Sequence, residues 1–442
     1  MRILFLTVDV EYSLRGIGAI LKNLIRAARE DGHEVGLLTG IPYERAYGGN
    51  AELRDRIEHV HLQHYVIDGK KSFRVMLPGG YRRRNLYKFM LKGKFLKHAY
   101  MKVRPELLSG KRNLAHELDF IVRAPFIYRF IAKGNDRISR YVVGRICRAY
   151  SIDLVVAVSP TKLRSKDLGS HTKLATFIHD IMPVEMLETP AESDTPIRFA
   201  RELETAIRHS DLLMANSTDT ANKINALFPK AQVDVVYGVV SSAPSEITDS
   251  AILTVKNLQP NNYLLFAAMI EKRKNVEGLI DAYALAYDEL RMPLVIVGAP
   301  GYGFEQLIDK YEALPQHIQN NVLFTGFVSE EDKFTLFKNA RAFVFPSFYE
   351  GIGIPVIEAM SYGIPVLTTR TGALPEAAGN GAFYIENPYD VQEIAHGLIR
   401  ITKDENLRKQ LVSNGSSIHK DFTFSKFKQR VGKSLQRIDG DT

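Results

Sequence analysis

Residues 342–360 read AFVFPSFYEGIGIPVIEAM, and the order of residue types in that stretch decides the architecture. The apolar run Ala342-Phe343-Val344-Phe345 has the length of a buried strand, and Pro346 ends it. Gly351 and Gly353 then permit a tight backbone path, and Pro355 suits the first turn of a helix. A strand that runs through a glycine loop into a helix aims free N–H groups and the positive end of the helix dipole at one point above the strand. That point suits an anion such as a diphosphate. Taken alone, the same glycines could merely make a turn and Glu358 could be a solvated helix residue.

Working outward, the same rhythm recurs. Tyr263–Ala268, Leu294–Gly298, Val322–Gly326 and Pro365–Thr369 are further apolar runs separated by stretches of helical spacing. Before them stand Arg2–Val8, His33–Thr39, Ile152–Ser159 and Leu174–Asp180. Ile20, Leu21, Leu24 and Ile25 repeat at helical spacing after a turn read at Arg15-Gly16-Ile17-Gly18. Strands alternating with helices give an α/β class, with parallel sheets covered on both faces. At 442 residues and 45% hydrophobic, the chain exceeds one core and divides into two Rossmann-like domains. The loose, polar stretch from Val240 to Gln259 is read as their connection, which predicts domains at 1–240 and 241–420, with 421–442 a helix returning to the first. Ligands of open α/β sheets bind beyond the carboxyl ends of the strands, so the site is expected in the cleft between the two domains.

Composition narrows the partners. The formal charge is +8, yet residues 70–112 hold eight lysines and six arginines against one acid, Glu106. That window is +13 and leaves the rest of the chain at −5. Within it, residues 81–104 interleave cations with Leu, Phe and Met, a pattern suited to an anionic membrane surface or to the phosphates of a lipid-linked acceptor; a basic helix facing water is the plainer alternative. No nucleic-acid module surrounds it, so no nucleic acid is expected. The single cysteine, Cys147, excludes an internal disulfide, and the apolar start meets Asp9 and Glu11 before a span could be complete. The expectation is a cytoplasmic protein, peripheral at most on the inner face of the membrane. No His/Cys/Asp cluster has metal-ligand spacing, and Asp439-Gly440-Asp441 sits on the terminal tail, so no metal and no cofactor are expected.

Glu350 and Glu358 would lie about 12 Å apart along a single helix, beyond the ~5–9.5 Å of a glycosidase carboxylate pair. Glu350 is therefore placed in the loop and Glu358 inside the helix. The string from Glu350 to Val366 resembles the Glu-(seven residues)-Glu signature of glycosyltransferase family four, the retaining group 1 enzymes of GT-B fold that include mannosyltransferases. Gly16-Ile17-Gly18, Phe177-Ile178-His179-Asp180, Glu271-Lys272-Arg273-Lys274-Asn275 and Gly326-Phe327-Val328-Ser329 follow the same family in order. The likeness is strong over 260–390 and weak over about 45–140. Ala268 and Met269 depart from it, standing where a glycine and a polar or basic residue are common.

The resemblance implies a GT-B fold of two facing Rossmann-like domains and a nucleotide diphosphate sugar as donor. It implies that Arg273 and Lys274 clamp the diphosphate, that Glu350 lies beside the sugar and Glu358 reaches ribose hydroxyls. Gly351, Ile352 and Gly353 line the loop, the backbone at Val328 meets the base, and His179 lies on the sugar side. Gly16 and Gly18 would let the first-domain loop approach the phosphates or the acceptor. Catalytic roles are expected for His179, Lys274 and Glu350. Glu376 is read as lying in a loop over the cleft, with a capping or surface role equally open. The expected reaction is retaining, metal-independent sugar transfer, with GDP-mannose as candidate donor, to a saccharide or lipid-linked saccharide in surface-polysaccharide, lipopolysaccharide or glycolipid assembly. Glu350→Ala or Lys274→Ala is expected to abolish transfer with the fold intact. The alternatives are another GT-B enzyme, such as an epimerase or phosphorylase, and a non-catalytic nucleotide-sugar binding module.

Overall fold

The apolar runs become strands of two parallel sheets. The structure, a computed structural model, describes residues 1–6, 16–39, 57–59, 61–67, 70–76, 118–123, 137–185, 195–240 and 251–439. In chain order the first half supplies β1 (Arg2–Leu6), β2 (Glu34–Thr39), β3 (Ile57–His59), β4 (His61–Ile67), β5 (Lys70–Met76), β6 (Phe120–Arg123), β7 (Leu154–Ala157), β8 (Lys173–Ile178), β9 (Leu212–Ala215) and β10 (Val233–Val235). Strands β4 and β5 pair antiparallel as a separate hairpin. The others form one sheet in the order β10-β9-β8-β7-β1-β2-β6-β3, every pair parallel.

The second half supplies β11 (Leu264–Ala267), β12 (Leu294–Val297), β13 (Val322–Gly326), β14 (Ala342–Phe345), β15 (Val366–Thr369) and β16 (Ala382–Ile385). They run parallel in the order β13-β12-β11-β14-β15-β16. Strands β11, β12, β14 and β15 are buried along their whole length because helices cover both faces of the sheet. Phe266 and Phe345 stack with ring centroids 5.7 Å apart, and both are fully buried. Each such side chain contributes about 1.5–3 kcal/mol by leaving water.

Five helices frame the site: α1 (Gly16–Glu30), α2 (Thr218–Leu227), α3 (Val276–Leu290), α4 (Ile354–Ser361) and α5 (Phe424–Asp439). Helix α5 lies against the first half. Its Phe427, Val431, Leu435 and Ile438 join the core that contains Leu21, Leu24 and Ile25, and Lys428 pairs with Glu30 and Asp31, each at 3.3 Å.

Two expectations change. Gly16-Ile17-Gly18 is the first turn of α1, not a loop before it. Residues 251–259 are not loose chain: Ile252–Val255 is a helical turn and Leu258 is buried in the second core. Residues 241–250, at the head of the expected connection, lie outside the described residues, as does the basic segment 81–104.

Candidate active site

Strands β11 and β14 are neighbours, yet the chain leaves them toward opposite sides, to β12 on one and β15 on the other. A crevice opens above such a switch point, and the loops after these two strands line it. After β11, a single 3₁₀ turn holds Lys272–Lys274, and Asn275 in the left-handed region (φ 55°) caps α3 by accepting from the Gly278 N–H at 3.2 Å. After β14, the Phe348 N–H donates to the Arg273 carbonyl at 2.8 Å, which locks the two loops together.

Glu350 is set between them. Its Oε1 accepts from Lys274 Nζ at 2.5 Å, Ser347 Oγ at 2.7 Å and Arg273 NH1 at 3.1 Å. Arg273 Nε also donates to Glu271 Oε2 at 2.9 Å. Glu350 and Lys274 are 6% and 5% exposed, so the pair is held out of water. Burial alone would raise the Glu350 pKa, but Lys274 and Arg273 outweigh it and hold the carboxyl below its ordinary value.

Gly353, in the left-handed region (φ 82°), starts α4. The Val356 N–H turns back to the Gly353 carbonyl at 2.9 Å, whereas the N–H groups of Ile352, Gly353 and Ile354 have no partner among the described residues. This helix start faces the crevice beside Arg273 and Lys274, an arrangement able to receive an anion.

The first half closes over the loop. A Cβ on Gly351 would lie 2.5 Å from the His179 carbonyl oxygen and 3.1 Å from Asp180 Cβ, so only glycine fits that approach. His179 Nε2 donates to the Val158 carbonyl at 2.8 Å, which assigns its proton to Nε2, and the ring packs 5.0 Å from Phe177. Burial pushes the Asp180 carboxyl up, with nearby Arg273 opposing.

The structure thus gathers His179, Arg273, Lys274, Glu350, Gly351 and Gly353. Glu358 lies further along α4, 8% exposed, with Lys333 Nζ donating to it at 2.7 Å. The Ile352 side chain points away into an apolar cluster with Val240, Ile357, Ala373, Ala377 and Phe422, so only its backbone can meet a ligand. Val328 packs on the second core beside exposed Phe327, after Gly326 at φ 67°. Gly16 and Gly18 open α1; one turn on, Ile20 Cδ1 and Ile354 Cδ1 both come within 3.5 Å of a Cβ built at Gly238. Sequence reasoning missed Ser347, Tyr349 and Lys223. Lys223 Nζ reaches the Tyr349 hydroxyl at 3.3 Å from the other half, and nothing in the local sequence marks that contact. Among the described residues, no group of three or more His, Cys, Asp or Glu side chains is placed to hold a metal ion, and no helix is long and apolar enough to cross a membrane. A separate cavity of about 660 Å³, lined by Arg164, Lys166 and His209, lies by the amino ends of β8 and β9, away from this crevice.

Two parallel Rossmann-like sheets with a charged helix start between them make this a GT-B fold, the architecture of many nucleotide-sugar glycosyltransferases. Residues 252–417, within the second half of the chain, match the family model of glycosyl transferases group 1. The chain is 34% identical over 175 residues to O-antigen chain mannosyltransferase B of Escherichia coli, covering 39% of this chain and 45% of that protein. It is 28% identical over 264 residues to the serotype-specific mannosyltransferase WbdA of Escherichia coli, covering 57% and 32%. The chain therefore spans less than half the length of these two curated relatives. Among solved structures, HepE of Anabaena in complex with UDP and glucose superposes with a TM-score of 0.62 at 19% identity, covering 99% of this chain and all of that one. WaaG, a glycosyltransferase involved in lipopolysaccharide biosynthesis, gives 0.62 at 15%, covering 98% and 99%.

Proposed function

We propose that this chain transfers a sugar, with mannose from GDP-mannose the first candidate, from a nucleotide diphosphate sugar to a saccharide or lipid-linked saccharide during surface-polysaccharide or glycolipid assembly. The observation that carries the reading is the set of unpartnered N–H groups at the start of α4 beside Arg273 and Lys274, at the switch point of the second sheet. The mannosyltransferase relatives support the choice of sugar.

Arg273 keeps donors beyond those it gives to Glu350, Glu271 and the Tyr349 carbonyl, and its guanidinium can turn these toward a departing diphosphate. The helix start adds backbone donors that need no reorganisation as charge develops. Glu350 is a poor nucleophile here, because one oxygen is tied by three donors and its basicity is lowered by two cations. The reading is therefore attack by the acceptor hydroxyl on the face the diphosphate leaves, with retention and no protein-bound sugar. Positioning and leaving-group stabilisation by Arg273 and the helix start would replace a metal ion.

The test is release of nucleoside diphosphate from a panel of nucleotide sugars, with and without saccharide acceptors. Expected are release only with acceptor, an α-linked product by NMR, and no effect of EDTA. Release without acceptor would point instead to a hydrolytic enzyme, conversion of the nucleotide sugar without net release to an epimerase, and near wild-type turnover in Lys274→Ala would remove the assignment. The proposed setting is the cytoplasmic face of a membrane, with residues 81–104 as the contact; unchanged flotation with anionic liposomes after Arg82, Arg83 and Arg84 become Ala would count against that contact.

A further inference from the structure

Glu376 belongs to the second half, yet its carboxylate is bound by the first. Oε1 accepts from the Thr218 N–H at 2.8 Å and from the Tyr237 hydroxyl at 2.6 Å, and Oε2 accepts from the Asp219 N–H at 3.1 Å. Thr218 and Asp219 are the first two residues of α2. Its own N-cap, Ser217, satisfies only the Thr220 N–H, at 3.1 Å. Two donors that a helix start leaves over are thus met by a carboxylate from the other domain, where the helix dipole favours a negative charge.

The other end of this short segment grips Glu350. The Ala373 N–H donates to the Glu350 carbonyl at 3.0 Å, and Gly372, in the left-handed region (φ 53°), would place a Cβ 2.6 Å from that oxygen. Around it, Val240 and Phe422, from the two places where the chain crosses between halves, pack with Ile352, Ile357, Ala373 and Ala377. The same helix α2 holds the other flank of the loop through Lys223 and the Tyr349 hydroxyl.

We infer that Glu376 is a positioning residue: by seating on the start of α2 it fixes the orientation of the halves in which the Glu350 loop meets the His179–Asp180 turn. It thereby sets the turnover of the sugar transfer proposed above, on which this inference rests. The groups proposed to hold the nucleoside diphosphate, Arg273, Lys274 and the start of α4, belong to the second half, whereas transfer needs both halves in register, so loss of the seat lowers kcat and leaves GDP affinity.

Glu376→Ala removes all three bonds, and Glu376→Gln replaces one acceptor oxygen with an amide NH2 that faces N–H or O–H donors. Thr218→Pro deletes one backbone donor to Glu376, together with the Thr218 hydroxyl that lies 3.2 Å from the Tyr237 hydroxyl, without harming the helix, because proline suits the first helical position and Ser217 is already extended (φ −152°, ψ 157°). Tyr237→Phe deletes another. A displacement of the halves by an ångström would cost on the order of 10²-fold in kcat, and GDP affinity by calorimetry should stay within about threefold. Small-angle scattering should show Glu376→Ala more expanded than wild type with GDP present, and the two single-donor variants between them. Unchanged kcat and scattering in Glu376→Ala would overturn the inference; so would a lower Tm with unchanged scattering, which is what a merely structural cap would give. If Glu376→Ala fails to fold, Thr218→Pro and Tyr237→Phe decide by the same readouts. If wild type turns over no donor, the transfer reading fails by itself, and the scattering comparison still decides whether Glu376 sets the orientation.

Discussion

Glu350→Ala leaves Lys274 Nζ, Arg273 NH1 and Ser347 Oγ aimed at the point where all three now meet one carboxylate oxygen. The Lys274 side chain is 6% exposed, so water replaces that partner poorly. Removing one member of a buried pair costs about 3–5 kcal/mol. For a domain of this size each kcal/mol lowers Tm by about 2–4 °C, so the expected drop is roughly 6–20 °C. The expectation from sequence, that Glu350→Ala or Lys274→Ala leaves the fold intact, is thereby revised: activity lost in either variant mixes chemistry with instability. The double variant Glu350→Gln/Lys274→Met removes both charges together and should recover most of the lost Tm while staying inactive, since no unpaired buried ammonium remains. Differential scanning calorimetry of wild type, Glu350→Gln, Lys274→Met and the double variant measures the cycle. A Tm for Glu350→Ala within about 2 °C of wild type, or a double variant no more stable than the singles, would refute the buried-pair reasoning.

Gly351→Ala places a methyl 2.5 Å from the His179 carbonyl, so the halves must part; kcat should fall by on the order of tenfold or more while Tm moves little, checked by steady-state kinetics beside thermal melts. Because the Glu350 pKa is lowered on folding, its stabilisation is present above the ordinary carboxyl value of 4.5 and is lost as pH falls through the lowered folded value. Urea midpoints measured from pH 7 into that acid range should therefore fall more in wild type than in Glu350→Gln. Burial pushes the Cys147 thiol up to about 12, so it should resist DTNB in the native protein and react only on unfolding; rapid native reaction would contradict its burial.

The second half was legible because its strands are short apolar runs closed by Gly or Pro, and because Glu350, Gly351, Gly353 and Glu358 sit in one continuous string. Strand β16 escaped although Ala382–Ile385 is a four-residue apolar run; it lies at the edge of the sheet, where Phe383 and Tyr384 are only partly buried. In the first half β3 to β6, β9 and β10 went unread: Lys70–Met76 opens on two lysines and a serine and carries Arg74, and its pairing with His61–Ile67 is set by register rather than composition. The Gly16-Ile17-Gly18 turn was misread because glycine signals a loop more often than a helix start, yet at the first turn its missing side chain costs the helix little. The bonds of Glu376 could not be read at all. They join positions more than a hundred residues apart, and only the closed arrangement of the halves brings them together.

Charge balance in the crevice decides how a donor is held. Arg273 and Lys274 supply two positive charges, and Glu271 and Glu350 supply two negative ones within hydrogen-bond distance. Because those four charges cancel, the proposed diphosphate would not be drawn in by an uncompensated basic patch; it would share Arg273 with the carboxylates and take the rest of its stabilisation from the N–H groups at the start of α4. Such short-range bonds to partly buried groups are screened little by salt, whereas attraction between exposed charges fades beyond a Debye length of about 10 Å at 0.1 M. Raising NaCl from about 0.1 M to 1 M, where the Debye length is ~3 Å, should then weaken GDP binding by less than about fivefold in calorimetry. A loss of two orders of magnitude would mean that the cations stand uncompensated when the nucleotide arrives, and that Glu350 has already let go of Lys274.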